Sequence, residues 1–438
     1  VSTKVSRILH AGYLLECEGA RIAMDPIFEN PFSRNCYAFP PVKFDTEQIK
    51  ALRLDAVFIS HYHDDHCSME SLSLLDKSTP IYMFCVHGEM FELIRHLGFE
   101  QVHSLELDKP VPIQNFTVTP RRALDEDVDT IFQIQTPDVN ILNVVDSWIP
   151  PETLALLARE DWDLILWPFQ TMREIEVIAP DRASTASPEL PEEWTEPLQQ
   201  LKPKYLVPSS CQFQLEEWSW YNRAFFPITY KKFAEYIKQI LPATQTIRLN
   251  PGVSISFDDG TLTPAEPLTW IAPLGDQNVD YEFNPDIKPP PTSEIAKRFL
   301  PLTPEQHEHV LRFCRFEIME RFESFSADPY FNSPRAWRLT LYDHQGEALS
   351  FDYRLENGRL SPGDSTTQPE WLTEVSTAKL YAALELGESL TSMYVRILGA
   401  KFEDIVDDPL LASLFNGVFA AYQISQLQTI HAHSGCNH

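Results

Sequence analysis

Positive charge, cysteine and long apolar runs are all scarce in this chain, and each scarcity removes a class of function. Lys plus Arg number 35 against 63 Asp plus Glu in 438 residues, a formal net charge of −28 at pH 7. Gripping a phosphate backbone takes clustered Lys and Arg, so nucleic acid is not an expected partner, and neither is an anionic membrane surface. A small anionic substrate stays compatible, because a metal site and a few local arginines override the global field. The seven cysteines (Cys17, Cys36, Cys67, Cys85, Cys211, Cys314 and Cys436) are odd in number and never spaced Cys-x-x-Cys. That argues against a disulfide framework and for a reducing compartment. No apolar run reaches the ~18 residues of a membrane span, and no charged-then-apolar leader opens the chain. A cytoplasmic protein is expected; the first residue is Val1, so the start of the protein could lie upstream. Hydrophobic residues make up 43%, enough for cores in two or three domains.

What stands out is Ser60-His61-Tyr62-His63-Asp64-Asp65-His66, directly after the strand-like run Leu54 to Ser60. A β-branched and aromatic run ending in imidazoles and carboxylates is how a strand delivers ligands to a metal. His61 and His63 can share one ion; Asp65 and His66 follow on the turn and can hold a second. Scattered histidines are mostly surface or satisfied core residues, but three in six positions beside an aspartate rarely are.

The remaining chain divides in two. Strands are expected at Ser6–Cys17 (two), Arg21–Asp25, Pro80–Cys85, Phe116–Pro120, Thr130–Gln135, Val139–Asp146, Trp162–Trp167 and Lys204–Cys211, with a last pair within Thr246–Phe257. Helices are expected near Thr46–Leu52, Ser68–Leu75, Gly88–Leu97, Pro151–Arg159, Pro188–Leu201 and Thr229–Leu241. This order predicts two sheets packed face to face with helices outside, and ligands from several strand ends converging at one edge. Asn284 to Ser293 carries a proline run that reads as a semi-rigid linker. Beyond it come a helix from Thr303 to about Phe325, capped by Thr303-Pro304-Glu305-Gln306, a hairpin of Ala336–Tyr342 with Ala348–Leu355, and helices near Glu370–Leu386 and Pro409–Thr429.

The His-x-His-x-Asp-His motif, with the opening His10-Ala11-Gly12-Tyr13-Leu14-Leu15 and Asp25-Pro26, resembles the metallo-β-lactamase superfamily. The subgroup it is most similar to holds ascorbate-6-phosphate lactonase and CMP-N-acetylneuraminate hydroxylase, and the likeness spans roughly residues 1–272. It implies an α+β fold: an αββα sandwich catalytic domain at 1–283, a linker at 284–300 and an α+β accessory domain at 301–438. It further implies that His61 and His63 serve a first metal, that Asp65 and His66 serve a second, and that Asp146 bridges them. The chain departs from the family twice. A third histidine is absent near Pro120 to Asp125, where Asp125 or Asp127 could substitute. A final histidine is absent after Pro208, where Ser209-Ser210-Cys211 stands, Cys211 being a soft candidate ligand.

The function expected is metal-assisted hydrolysis of a small molecule, anionic ones included, through a metal-bound hydroxide, with Asp65 orienting it or relaying its proton. One or two divalent transition-metal ions are implied, zinc first, iron or manganese as alternatives. The changed ligands and the hydroxylase likeness leave iron-dependent oxygenase or redox chemistry as the second reading. His10 is read as structural or as supporting a ligand, and Trp218 to Asn222 as core or a pocket wall. Arg121 and Arg122 are read as an anion grip or surface ion pairs. The C-terminal domain could bind substrate, hold a partner protein or form a homo-oligomer. The tail gathers His431, His433, Cys436 and His438, and Cys436-Asn437-His438 reads Cys-x-His, half of a Rieske pattern; with no Cys-x-x-His in the chain the simplest reading is a disordered terminus.

Overall fold

The computed structural model describes residues 2–125, 127–184, 189–322 and 328–435; Cys436 to His438 and the far end of the expected 303–325 helix lie outside them. Two mixed sheets form the first part. One runs, in spatial order, Thr261–Ala265, Ser254–Asp258, Ser2–Arg7, Tyr13–Cys17, Ala20–Met24, Ala56–Ile59, Ile81–Met83 and Val102–Ser104. The other runs Gln245–Thr246, Tyr205–Pro208, Leu164–Trp167, Asn140–Asn143, Thr130–Gln135, Phe116–Arg122 and Val111–Ile113.

Alternation within the strands explains why the two sheets face each other. Tyr13, Leu15, Ile22, Met24, Phe58, Phe132, Ile134, Ile141, Leu164, Leu166 and Val207 belong to one buried cluster between the sheets. Their strand neighbours Leu14, Ala23, Val57, Ile59, Ile131, Leu142, Ile165 and Leu206 belong to a second, on the outer faces. A slip of one residue would exchange the two sets, and each large side chain stranded in water would cost roughly 1.5–3 kcal/mol. The fold is the αββα sandwich expected, with helices such as Gly88–His96 and Tyr230–Ile240 contributing Met90, Phe91, Ile94, Phe233 and Ile237 to the outer cluster.

After the proline-rich stretch a separate five-stranded sheet forms, in the order Arg359–Pro362, Ala348–Glu356, Arg335–Tyr342, Trp371–Ser376 and Arg396–Leu398. The outer cluster continues into it through Trp337, Trp371, Leu380 and Leu427. The stretch itself is bonded on both sides: Asn284 N donates to the Arg223 carbonyl (2.7 Å), Thr292 Oγ1 donates to Glu374 (2.6 Å), and Arg396 donates to the Pro290 carbonyl. The Thr303–Gln306 capping box is formed, and the helix it starts, Pro304–Arg312, passes into a π-helical turn at Phe313–Glu317.

Three expectations are corrected. Trp371–Ser376 is a strand rather than the start of a helix, because its alternating residues pair parallel to Arg335–Tyr342; the helix begins at Thr377, capped by Ser376. The single helix expected at Pro409–Thr429 is two, Pro409–Phe415 and Ala421–Gly435, parted where Gly417 N turns back to Leu414 O and Ala420 takes a positive φ of 53°. The strand expected to run to Asp146 ends at Asn143. Among the described residues, no helix is long and apolar enough to cross a membrane.

Candidate metal centre

The topology brings several segments to one edge. The parallel strands Ala20–Met24 and Ala56–Ile59 end there, delivering Asp25 and the His61 to His66 turn. The turn between Ser2–Arg7 and Tyr13–Cys17 carries His10 to the same edge, since Tyr13 pairs with Met24. On the facing sheet, Asn140–Asn143 and Tyr205–Pro208 run parallel to Leu164–Trp167 and leave toward Asp146 and Ser209. Thr130–Gln135 runs antiparallel to Asn140–Asn143, so Asp129, at its start, belongs to this edge too.

Four of these residues, His10, Asp65, His66 and Asp146, place one ligand atom each within 4.8 Å of all the others. His10 Nε2 stands 3.1 Å from Asp65 Oδ2, and His66 Nε2 stands 3.4 Å from Asp65 Oδ2 and 3.1 Å from Asp146 Oδ2. His61 Nε2 lies 3.9 Å from Asp129 Oδ1 and 4.0 Å from Asp146 Oδ1. The His61 ring is 4.6 Å from that of His63 and 4.1 Å from that of His66, centroid to centroid. His63 is exposed at the rim.

A buried carboxylate fixes the imidazoles from behind. Asp25 accepts from Ser60 N (2.7 Å), from Ser60 Oγ (2.6 Å) and from His66 Nδ1 (3.0 Å). Ser60 Oγ, spending its proton on Asp25, takes one from His61 Nδ1 at 2.9 Å. Both histidines therefore carry a proton on Nδ1 and turn Nε2 into the cluster, the arrangement that orients ligating histidines. Asp129 is held by Ser147 Oγ (2.9 Å).

His10 is the residue whose surroundings best fit a cation ligand. It is fully buried, yet neither ring nitrogen makes a hydrogen bond among the described residues, Nε2 facing Asp65 without one. A buried imidazole nitrogen left so would cost about 1–3 kcal/mol; an ion between His10, Asp65, His66 and Asp146 would engage Nε2, the nitrogen that faces Asp65. Arg7 builds its platform: wholly buried, it donates to the His10 carbonyl, to Ser209 O (2.7 Å), to Pro208 O (3.2 Å) and to Tyr13 Oη (2.9 Å). The segment lacking the final histidine is thus tied to the turn that presents His10. Gly12 makes that turn possible, because a Cβ there would meet the carbonyl oxygens of Asp25 and Leu9 at 2.8 and 2.9 Å. His10 (φ 54°), Asp25 (φ 38°) and Val145 (φ 63°) all take left-handed backbone; for a β-branched residue such as Val145 this is rare, and such strain gathers at functional sites.

The electrostatics suit a cation. Burial alone would raise Asp65 and Asp146, but the His66 charge holds Asp65 well below the carboxylate range, and His66 with His61 lower Asp146. Burial would lower His66, which Asp146 and Asp65 instead raise well above its ordinary value. His61 is pushed down by burial and by His66. Asp129 is pushed up to about 6 by burial and by Asp146.

The structure therefore gathers His61, Asp65, His66 and Asp146 and leaves His63 at the rim beside His61. It also brings Asp129, which sequence reasoning did not name, and His10, which it read as structural or as supporting a ligand, to the same edge. Asp125 and Asp127, the substitutes considered, are exposed; the turn from Asp125, whose carbonyl accepts from Val128 N and Asp129 N, delivers Asp129 instead. The available signal was its place immediately before an apolar strand. Cys211 is buried nearby, where burial and the charges of Asp146 and Asp65 push its thiol well up, and it is not among the four clustered residues. Trp218 and Tyr221 pack on Tyr394 of the accessory part, at 4.9 and 4.8 Å. Arg121 is spent on Asp108 and Gln133. All six described cysteines are buried and unpaired.

The two facing sheets with helices outside have the architecture of the metallo-β-lactamase fold. Residues 4–210 match the family model of the Beta-lactamase superfamily domain. Among solved structures, the chain is similar to Igni18, a novel metallo hydrolase from the archaeon Ignicoccus hospitalis (17% identity, TM-score 0.42, 59% of this chain and 99% of that one). It is similar to the isothiocyanate hydrolase from Delia radicum gut bacteria (15%, 0.43, 58% and 99%). It is also similar to CmlA, a diiron β-hydroxylase from Streptomyces venezuelae (14%, 0.40, 58% and 54%). No curated protein sequence matches the chain.

Proposed function

We propose that the chain is a metal-dependent hydrolase with a two-ion centre, His61, His63, Asp129 and Asp146 holding one ion and His10, Asp65, His66 and Asp146 the other. The observation that carries this is the unbonded, fully buried His10 ring facing Asp65 within the cluster. Divalent ions so held supply Lewis acidity and bring the pKa of bound water to about 7. The chain's own groups do the rest. Asp25 and Ser60 lock the imidazole orientations. His10 and His66 are sealed, while the Asp65, Asp129 and Asp146 side chains keep 20–25% of their surface open. Water and a carbonyl or phosphoryl oxygen approach from that carboxylate side, where Asp65 orients the water and takes its proton.

A second reading has its own observation. Asp129 lies beyond the stretch near Pro120 to Asp125 where the family resemblance implies a histidine, yet its Oδ1 is 3.9 Å from His61 Nε2, so His61, His63 and Asp129 would make a two-histidine, one-carboxylate set, the donor type of non-haem iron. Iron there would favour oxygen activation. Purified full-length chain, stripped and then offered zinc, manganese or ferrous iron, distinguishes the two by bound stoichiometry and by oxygen consumption. Two ions bound, with each of His10→Ala and Asp129→Ala losing one, is the expected result. Full uptake by both variants would overturn the ligand assignment.

A further inference from the structure

The metal-binding turn alternates ligands with two other residues, Tyr62 and Asp64, and the accessory part reaches both. The Tyr62 carbonyl accepts from Gln423 Nε2 at 2.8 Å. The Tyr62 ring lies 5.2 Å from that of Phe419, which also packs on His87 at 4.6 Å. Asp64 accepts from Arg34 Nη1 at 2.7 Å; Arg34 in turn stacks 4.2 Å over the Tyr422 ring, donates its amide to Tyr422 Oη at 3.2 Å and donates to the Gly387 carbonyl. One turn further along, Gln426 accepts from Met69 N (3.0 Å) and donates to Ser68 Oγ (3.2 Å). Ser68 is the N-cap of the helix that follows the motif, Met69–Ser73.

Tyr422, Gln423 and Gln426 share one face of the helix Ala421–Gly435 by their spacing of three and four. Gly387 lets that helix approach: at φ +67°, a Cβ on it would meet Tyr422 N at 2.5 Å. A helix kept for core packing alone would present apolar side chains here. This one instead bonds the backbone of the motif at Tyr62 and Met69, and reaches Asp64 through Arg34.

We propose that this C-terminal helix is a clamp that positions the metal-binding turn, so that ion binding and docking of the accessory domain are thermodynamically linked. The proposal rests on the metal centre above. Linkage is reciprocal: if the docked helix favours the ion, the ion must favour the docked helix. Residues that orient ligands from behind typically change metal affinity 10–100-fold, and Gln423 and Gln426 act one step behind the ligands, through their backbone.

The test uses the full chain, stripped of metal and titrated calorimetrically with Mn²⁺ and with Zn²⁺, alongside far-UV circular dichroism. Gln423→Leu with Gln426→Leu should weaken binding about tenfold. Ser413→Ala, a buried accessory position bonded to the Ile318 and Pro409 carbonyls, should leave it unchanged. In the wild-type chain, Mn²⁺ should raise amide-exchange protection over residues 421–433, a readout that needs no variant to fold. Wild-type affinity in a folded double variant, or no added protection, overturns the clamp alone. A wild-type chain that takes up neither ion overturns the clamp and the metal centre together.

Discussion

Replacing Glu29 by glutamine should make the protein more stable, and only above mildly acidic pH. Glu29 lies in the loop after Ala20–Met24 and accepts from the hydroxyls of Ser68 and Ser71, bracing the helix that follows the metal turn. Burial pushes its carboxyl from 4.5 up to about 7, against the two hydroxyl bonds. The folded value is the higher, so the folded state binds more protons, and stability must fall as pH rises. Glu29's contribution is complete below about pH 4.5 and is lost as pH rises through about 7. A shift of that size corresponds to about 3 kcal/mol, an upper figure because part of the side chain meets solvent. The amide of the Glu29→Gln variant would keep the shape without the charge, its oxygen accepting from one serine hydroxyl while its NH2 donates to the other serine's Oγ. Urea unfolding of both chains at pH 5 and 8.5 checks this: near-equal stability at the lower pH, with the variant ahead by up to about 3 kcal/mol at the higher. A gap that does not change with pH, or one that opens in favour of the wild-type carboxylate, refutes the reasoning.

Other outcomes follow from the same geometry. Gly12→Ala forces a Cβ onto two backbone oxygens at 2.8 and 2.9 Å; it should cost about 1–3 kcal/mol in thermal melts and weaken ion binding, because the turn it shifts carries His10. Asp408→Ala should cost about 3 kcal/mol or more by calorimetry, since it strips the acceptor from Trp371 Nε1, Thr373 Oγ1 and the Leu410 amide at once. Ion affinity should rise from pH 5 to 7.5 with release of protons, because His66 stands raised and Asp129 sits at about 6 before the ion displaces their protons. Titration in buffers of different ionisation enthalpy counts those protons, and a pH-independent affinity would refute the assignment of these two ligands.

The sequence by itself determined the sandwich and half of its centre. Apolar runs such as Tyr13 to Leu15 and Leu164 to Trp167 mark strands by local chemistry, and the period of two places alternate residues on opposite faces. The run from His61 to His66 is also local, four candidate ligands on one turn, so spacing alone marked it. Asp146 was legible because it follows an apolar run closely. His10 and Asp129 were not: the cluster residues they face, Asp65 and His61, lie 55 and 68 residues away along the chain. Only the antiparallel pairing of Tyr13 with Met24, and of Phe132 with Asn143, carries them to the edge where the histidines wait. The strand Trp371–Ser376 was missed for the same reason, since a parallel partner more than thirty residues upstream outweighed its helical flank. Periodicity and motifs report what neighbours along the chain do together. Which carboxylate meets His61, and which buried imidazole faces Asp65, was decided by strand order and by the turns at one edge of two packed sheets.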